Sequence, residues 1–98
     1  MKDMYGTTVH PKYDVCLERN VGTREQPDWS EDMNEVEGAN NYYDAIKRAK
    51  RMSLKYPDNL EARVYIVCYY ENDITAFNEV WWEYYENGKK EGRYLADD

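Results

Sequence analysis

The sequence predicts a small, single-domain α+β fold, in which a three- to four-stranded, mainly antiparallel sheet carries one α-helix on one face. Three observations favour this class. Residues 61–71 and 76–86 are two long segments rich in Val, Ile, Tyr and Trp, as strands are. An apolar stripe with helical spacing precedes them, and 98 residues suffice for one domain with one core. We expect the order ββαββ, with βαββ as the alternative.

The first third of the chain is expected to form an arm, a strand and an acidic loop. Residues 1–11 are predicted to be a flexible arm. Apolar and polar side chains then alternate over 12–21, which predicts the first strand, and Gly22 ends it. The acid-rich stretch 23–32 predicts a loop. Weaker alternation over 33–38 predicts a short return strand.

The helix has a predicted start, a predicted end and an apolar stripe. Asn40 or Asn41 can cap it, because an Asn side chain accepts a hydrogen bond from a free amide of the first turn. Pro57 ends it, since proline disfavours helical geometry in the residue before it. The helix carries five cationic side chains and one acidic side chain, Asp44. We interpret the cations as a solvated helix face that the acidic loop neutralises, rather than as a nucleic-acid patch. The stripe consists of Tyr42, Ala45, Ile46, Ala49, Met52, Ser53 and Tyr56.

The two long strands are predicted to form the central hairpin, with a turn at 72–75. Successive side chains of a strand point to opposite faces. One set of the first strand is apolar and should pack against Ala45, Ala49 and Met52 of the helix. A second tight turn is predicted at Asn87-Gly88, returning a strand over 89–95 before a frayed tail at 96–98. The apolar set comprises Val64, Ile66 and Cys68.

The opposite face of this hairpin is the candidate functional surface, because aromatic rings alternate there with carboxylates. A solvated sheet face normally carries Thr, Lys and Glu instead. Tyr and Trp are frequent interface anchors, and carboxylates at a rim steer association with a basic surface. The candidate partner-binding residues are Tyr65, Tyr69, Glu71, Glu79, Trp81, Glu83 and Tyr85.

Composition narrows the class of partner. The net charge is −7, and 34% of the residues are charged. Direct binding to DNA or RNA is disfavoured, because affinity for phosphates depends on Lys and Arg. A basic partner protein is favoured instead. No signal-peptide pattern and no apolar run long enough to span a bilayer are seen, so we expect a cytoplasmic protein without membrane association.

Side chains suited to catalysis or metal binding are scarce. The only histidine is His10, in the arm, and the only serines are Ser30 and Ser53, so a hydrolytic triad is not supported. One histidine with Cys16 and Cys68 falls short of a zinc site. We expect a non-enzymatic protein without metal or cofactor. The cysteines are interpreted as buried thiols, and a disulfide would need neighbouring strands in suitable register.

Sugar chemistry is a further alternative, since Glu79 and Glu83 flank Trp81 on one predicted face. Four residues along a strand span about 13 Å, whereas the catalytic carboxylates of glycosidases lie about 5 to 9.5 Å apart. Cleavage is therefore disfavoured. Carbohydrate binding without cleavage, through Trp81, Tyr65 and Tyr85, is a lesser alternative.

Two hypotheses of different classes follow. In the first, the acidic-aromatic sheet face docks on a basic protein, such as a nucleic-acid-binding effector, because carboxylates along a strand can stand in for phosphates. This includes a nucleic-acid-mimic inhibitor of the phage anti-restriction or anti-CRISPR type. In the second, the same face forms a two-fold homodimer with a structural or accessory role. Self-pairing would bring Glu79 and Glu83 close to their symmetry mates.

Overall fold

In the described part of the chain, one helix packs on an antiparallel sheet of six strands. The computed structural model describes residues 11–70 and 78–96. The strand order is β2-β1-β4-β5-β6, and β3 pairs with another part of β1. In chain order the elements are β1 Lys12–Asn20, β2 Trp29–Glu31, a 3₁₀ turn Met33–Glu35, β3 Glu37–Ala39, α1 Tyr42–Lys55, β4 Ala62–Tyr70, β5 Asn78–Glu86 and β6 Lys89–Leu95.

The predicted strand number of three to four is wrong, because two short strands escape the sequence pattern. β2 lies inside the predicted loop 23–32, and it pairs with the second half of β1. The predicted return strand 33–38 is replaced by the 3₁₀ turn followed by β3, which pairs with the first half of β1. Each of these strands has only three residues. Three residues are too few to display an alternation of apolar and polar side chains.

The long elements confirm their predictions to within two residues at each described end. β6 is present after a turn in which Asn87 and Gly88 both have positive φ, as a two-residue hairpin turn requires. The predicted turn 72–75, most of the arm and residues 97–98 lie outside the described residues. Ala96 is not frayed, because its amide donates a hydrogen bond to the carbonyl of Val80 at 2.9 Å.

Helix α1 begins and ends as predicted and is tied to the sheet at both ends. The side chain of Asn41, the second of the two candidate caps, accepts a hydrogen bond from the amide of Asp44 at 2.8 Å. Arg48 forms an ion pair with Glu37 of β3 at 2.9 Å. At the other end, the hydroxyl of Ser53 accepts a hydrogen bond from the amide of Gly88 at 2.8 Å. The helix is therefore fixed over one face of the sheet.

The main core lies between α1 and this face, as expected for β4. Ala45, Ala49 and Met52 of the helix pack in one cluster with Val64 and the next inward residues of β4. Apolar side chains of β1 complete the layer. No helix in the described part of the chain is long and apolar enough to cross a bilayer. The inward residues of β1 and β4 are Val15, Leu17, Ala62, Val64, Ile66 and Cys68.

The predicted facing of β5 is wrong for Trp81, Glu83 and Tyr85. They lie opposite Cys68, Ile66 and Val64 respectively, so their side chains point to the helix side. All three are buried, and Glu83 is 0% exposed. The reason is register: side chains alternate with period two, so a shift of one residue in the pairing exchanges the two faces of a strand.

A β-bulge returns Glu79 to the other face. The pairing changes register between Cys68 and Tyr69, so Trp81 lies opposite Cys68 while Glu79 lies opposite Tyr69. Val80 is the extra residue, and it packs against the helix-side core. Glu79 is consequently exposed on the side away from the helix. Simple alternation would have put Glu79 and Trp81 on one face.

The two cysteines are free and buried on opposite faces of the sheet. Cys68 belongs to the helix-side core, whereas Cys16 packs with Val67 and Tyr69 on the other side. The thiols therefore point away from each other across the sheet, and no disulfide joins them.

Candidate functional site

The sheet face opposite α1, called the open face below, is the candidate functional site. The helix covers only the other face. Cross-strand pairs place Val67 beside Trp82 and Tyr65 beside Tyr84, so β4 and β5 together build its centre. β2 and β6 contribute one aromatic ring each at the two sides. The six aromatic residues of the open face are Trp29, Tyr65, Tyr69, Trp82, Tyr84 and Tyr94.

Three of these rings form a row across β4, β5 and β6. The ring centroids of Tyr65 and Tyr84 lie 5.4 Å apart, and those of Tyr84 and Tyr94 lie 5.6 Å apart at an interplanar angle of 78°. Aromatic pairs with these separations attract each other beyond the effect of burial alone. The row is therefore held in place by contacts within the chain.

Carboxylates lie among the rings, and cations are fewer in the described part of this face. Arg63 forms an ion pair with Glu18 at 2.7 Å, and Lys12 lies across from Tyr69 at the end of the face. The hydroxyl of Tyr65 donates a hydrogen bond to a carboxylate at 3.3 Å. Burial, with the nearby thiol and carboxylates, raises the pKa of Tyr65, so its phenol stays neutral. The acids are Asp14, Glu18, Glu31, Glu79 and, towards β6, Glu91.

The open face contains two depressions. The smaller one, called the acidic groove, has a volume of about 190 Å³. Its apolar lining includes Val36, Val67 and the highly exposed Met33, so an apolar surface is ringed by carboxylates. Its acidic residues are Asp14, Glu31 and Glu79.

The larger depression, called the aromatic pocket, has a volume of about 410 Å³. Arg63 lies in it with its guanidinium carbon 4.2 Å from the ring centroid of Trp29 and 5.2 Å from that of Tyr84. Such contacts are attractive, because the ring face is negative. Its lining residues are Trp29, Asn59, Arg63, Trp82, Tyr84, Tyr85, Glu91 and Tyr94.

Of the seven candidate partner-binding residues, three lie on the open face. Tyr65 is half-buried and Glu79 is exposed, whereas Tyr69 is largely buried beside Cys16 and Val67. Glu71 lies outside the described residues. The remaining three are the buried, helix-side residues Trp81, Glu83 and Tyr85.

Sequence reasoning missed the four rings that complete the face. Trp82 and Tyr84 alternate in β5 as regularly as the set that was chosen, so the pattern of that strand does not discriminate between its two faces. Trp29 stands alone in an acidic stretch, and Tyr94 belongs to a strand with little apolar character. Only the strand pairing brings them together.

Glu83 instead forms a buried polar network that joins α1 to β5 and β6. It accepts hydrogen bonds from the hydroxyl of Tyr42 at 2.8 Å, from that of Tyr85 at 3.1 Å and from Nε of Arg93 at 2.7 Å. The ammonium of Lys90 lies 3.4 Å away. Burial opposes ionisation, but these donors and cations prevail and hold the pKa of Glu83 below its ordinary value. The network ties the helix N-terminus to the sheet.

Within residues 11–70 and 78–96, no group of three or more His, Cys, Asp or Glu side chains is arranged to hold a metal ion. Searches of the chain against protein-family profiles, curated proteins and solved structures return no significant match.

Proposed function

We propose that this protein is a non-enzymatic binding protein that docks its open face on a basic partner protein. The observation that carries the proposal is the coincidence of six aromatic rings and five carboxylates on the described part of one sheet face that α1 leaves uncovered. Aromatic side chains supply large contact areas at low entropic cost, and desolvated rings dominate the energy of many interfaces. The carboxylates then favour a partner whose surface is positively charged.

Charge supports a basic partner in preference to a second copy of the chain. In a two-fold dimer the carboxylates of one open face would meet those of the other. Arg63 already pairs with Glu18 inside the chain, so it offers little compensation. Like charges brought together at an interface cost several kcal/mol, on the order of the gain from one good anchor. We therefore expect a monomer, which light scattering coupled to gel filtration can test.

A finer proposal concerns the class of partner. Carboxylates along neighbouring strands can occupy positions that phosphates take in a nucleic-acid groove. A cytoplasmic nucleic-acid-binding effector is therefore the partner we propose, with the present chain acting as a mimic that blocks its basic groove. In this scheme the chain itself does not bind nucleic acid.

The test uses a lysine nonapeptide as the basic probe and charge reversal as the perturbation. Glu79→Lys changes the acidic groove, and Glu61→Lys is the matched control because Glu61 is exposed and lines neither the acidic groove nor the aromatic pocket. We expect binding of the peptide to weaken with added salt, and to weaken more for Glu79→Lys than for Glu61→Lys. Equal effects of the two substitutions would refute the open face as the docking surface.

DNA provides the complementary test. A gel-shift titration with mixed-sequence duplex DNA at physiological salt should show no complex at micromolar protein. A micromolar complex would overturn the mimic proposal and favour the cations of α1 as a nucleic-acid patch. Arg48 is already paired with Glu37 and Asp44, which weighs against that outcome.

A further inference from the structure

The aromatic pocket has the walls that a planar cation requires. Tyr84 and Tyr94 meet nearly at right angles, and Trp82 lies in the same lining. Ring faces attract cations, and a guanidinium can stack on a ring while it donates hydrogen bonds in its own plane. The volume of about 410 Å³ leaves room for a side chain of that size beside the residues already there.

The chain itself supplies an example of this recognition within the same pocket. The guanidinium of Arg63 stacks over Trp29, faces Tyr84 and donates to the carboxylate of Glu18. Rings and a carboxylate thus hold one guanidinium already. The same lining also contains two further rings and a carboxylate, namely Trp82, Tyr94 and Glu91.

Glu91, one of the lining residues, is exposed, so its carboxylate is accessible from the pocket. The neighbouring carboxylate of Glu91, together with partial burial, raises the pKa of Glu86. Lys89 lies opposite Glu86 in the β5–β6 pairing, whereas Glu91 forms no ion pair in the described part of the chain. An exposed carboxylate beside ring faces favours the arrival of a cation there.

We propose that the aromatic pocket receives an arginine side chain of the basic partner. The guanidinium stacks on Tyr94 and Trp82 and donates hydrogen bonds to Glu91. This inference rests on the proposed function, because it takes the open face as the docking surface. It adds that arginine, rather than lysine, is the preferred cation, since an ammonium cannot stack and donate in one plane.

The experiment compares an arginine nonapeptide with a lysine nonapeptide of equal charge by isothermal titration calorimetry at low salt. We expect the arginine peptide to bind about five-fold tighter to the wild-type protein. Tyr94→Ala should reduce this ratio to about one, because it removes a stacking surface. Tyr43→Ala is the matched control, since Tyr43 is an exposed tyrosine of α1. It should leave the ratio unchanged.

Tyr94 is 57% exposed, so its truncation should leave the fold intact, and a thermal unfolding curve verifies this. A ratio of one for the wild-type protein, or an unchanged ratio in Tyr94→Ala, would overturn the pocket assignment. If lysine-peptide binding still depended on Glu79 in that case, the docking face would stand without the pocket. If neither peptide bound, both proposals would fall. A tryptophan fluorescence response to neutral oligosaccharides but not to the arginine peptide would also overturn the assignment.

Discussion

Replacement of the buried Glu83 by glutamine should strongly destabilise the fold. Gln has the shape of Glu but only one acceptor oxygen, so it cannot serve Tyr42, Tyr85 and Arg93 together. Breaking a buried ion pair costs about 3 to 5 kcal/mol. Arg93 and Lys90 keep 42% and 46% exposed side chains and can rehydrate, which places the cost near the lower limit, about 3 kcal/mol. For a chain of 98 residues this lowers the Tm by about 12 to 15 °C.

The pH dependence of this effect has a defined sign. The pKa of Glu83 is lowered in the folded protein, so ionised Glu83 stabilises the fold above the unfolded pKa of about 4.3. That contribution is lost as the pH falls through the folded pKa. The Glu83→Gln variant lacks it at every pH. The difference in Tm between wild type and variant should therefore be largest at neutral pH and shrink at about pH 3.

Thermal and urea denaturation followed by far-ultraviolet circular dichroism measure both effects. Glu79→Gln is the matched control, because Glu79 belongs to the same strand but is exposed. The control should change the stability by less than about 0.5 kcal/mol. A Glu83→Gln variant that melts within about 3 °C of the wild type would show that Glu83 does not face the helix. It would thereby also refute the observed facing of Trp81 and Tyr85.

Two further predictions test the same assignment of faces. Ile66→Asp should abolish cooperative unfolding, because it buries an unpaired charge against α1. Leu95→Asp is the control, because Leu95 is an exposed apolar residue of β6, and this variant should melt near the wild type. With the other two tryptophans replaced by phenylalanine, Trp81 should emit at short wavelength and resist acrylamide quenching; quenching as efficient as that of free indole would contradict its place in the core.

Much of the fold followed from local sequence signals. The helix begins after the capping Asn41 and ends before Pro57, as predicted, because both signals act within one turn of the backbone. The inward set of β4 was also correct, since its apolar residues differ clearly from the outward set. The tight turn at Asn87-Gly88 was predicted because few residue pairs accept positive φ at both positions.

The candidate site was predicted only in part, because its composition depends on which faces of two strands coincide. In β5 both alternating sets contain aromatic rings, Trp81 with Tyr85 and Trp82 with Tyr84, so burial cannot be assigned from the strand alone. The charge of Glu83 favoured an exposed position, yet Arg93 and Tyr42, distant in sequence, make its burial favourable.

The sequence by itself determined that this protein has an acidic, aromatic-rich sheet with one helix on one side. Tertiary structure alone decided which rings are exposed. The physical reason is that side chains alternate with period two along a strand, so the register with β4 and the bulge residue Val80 decide which side chains of β5 lie in the core and which lie on the surface. The register and the bulge depend on pairing across the sheet, which no local pattern in β5 encodes.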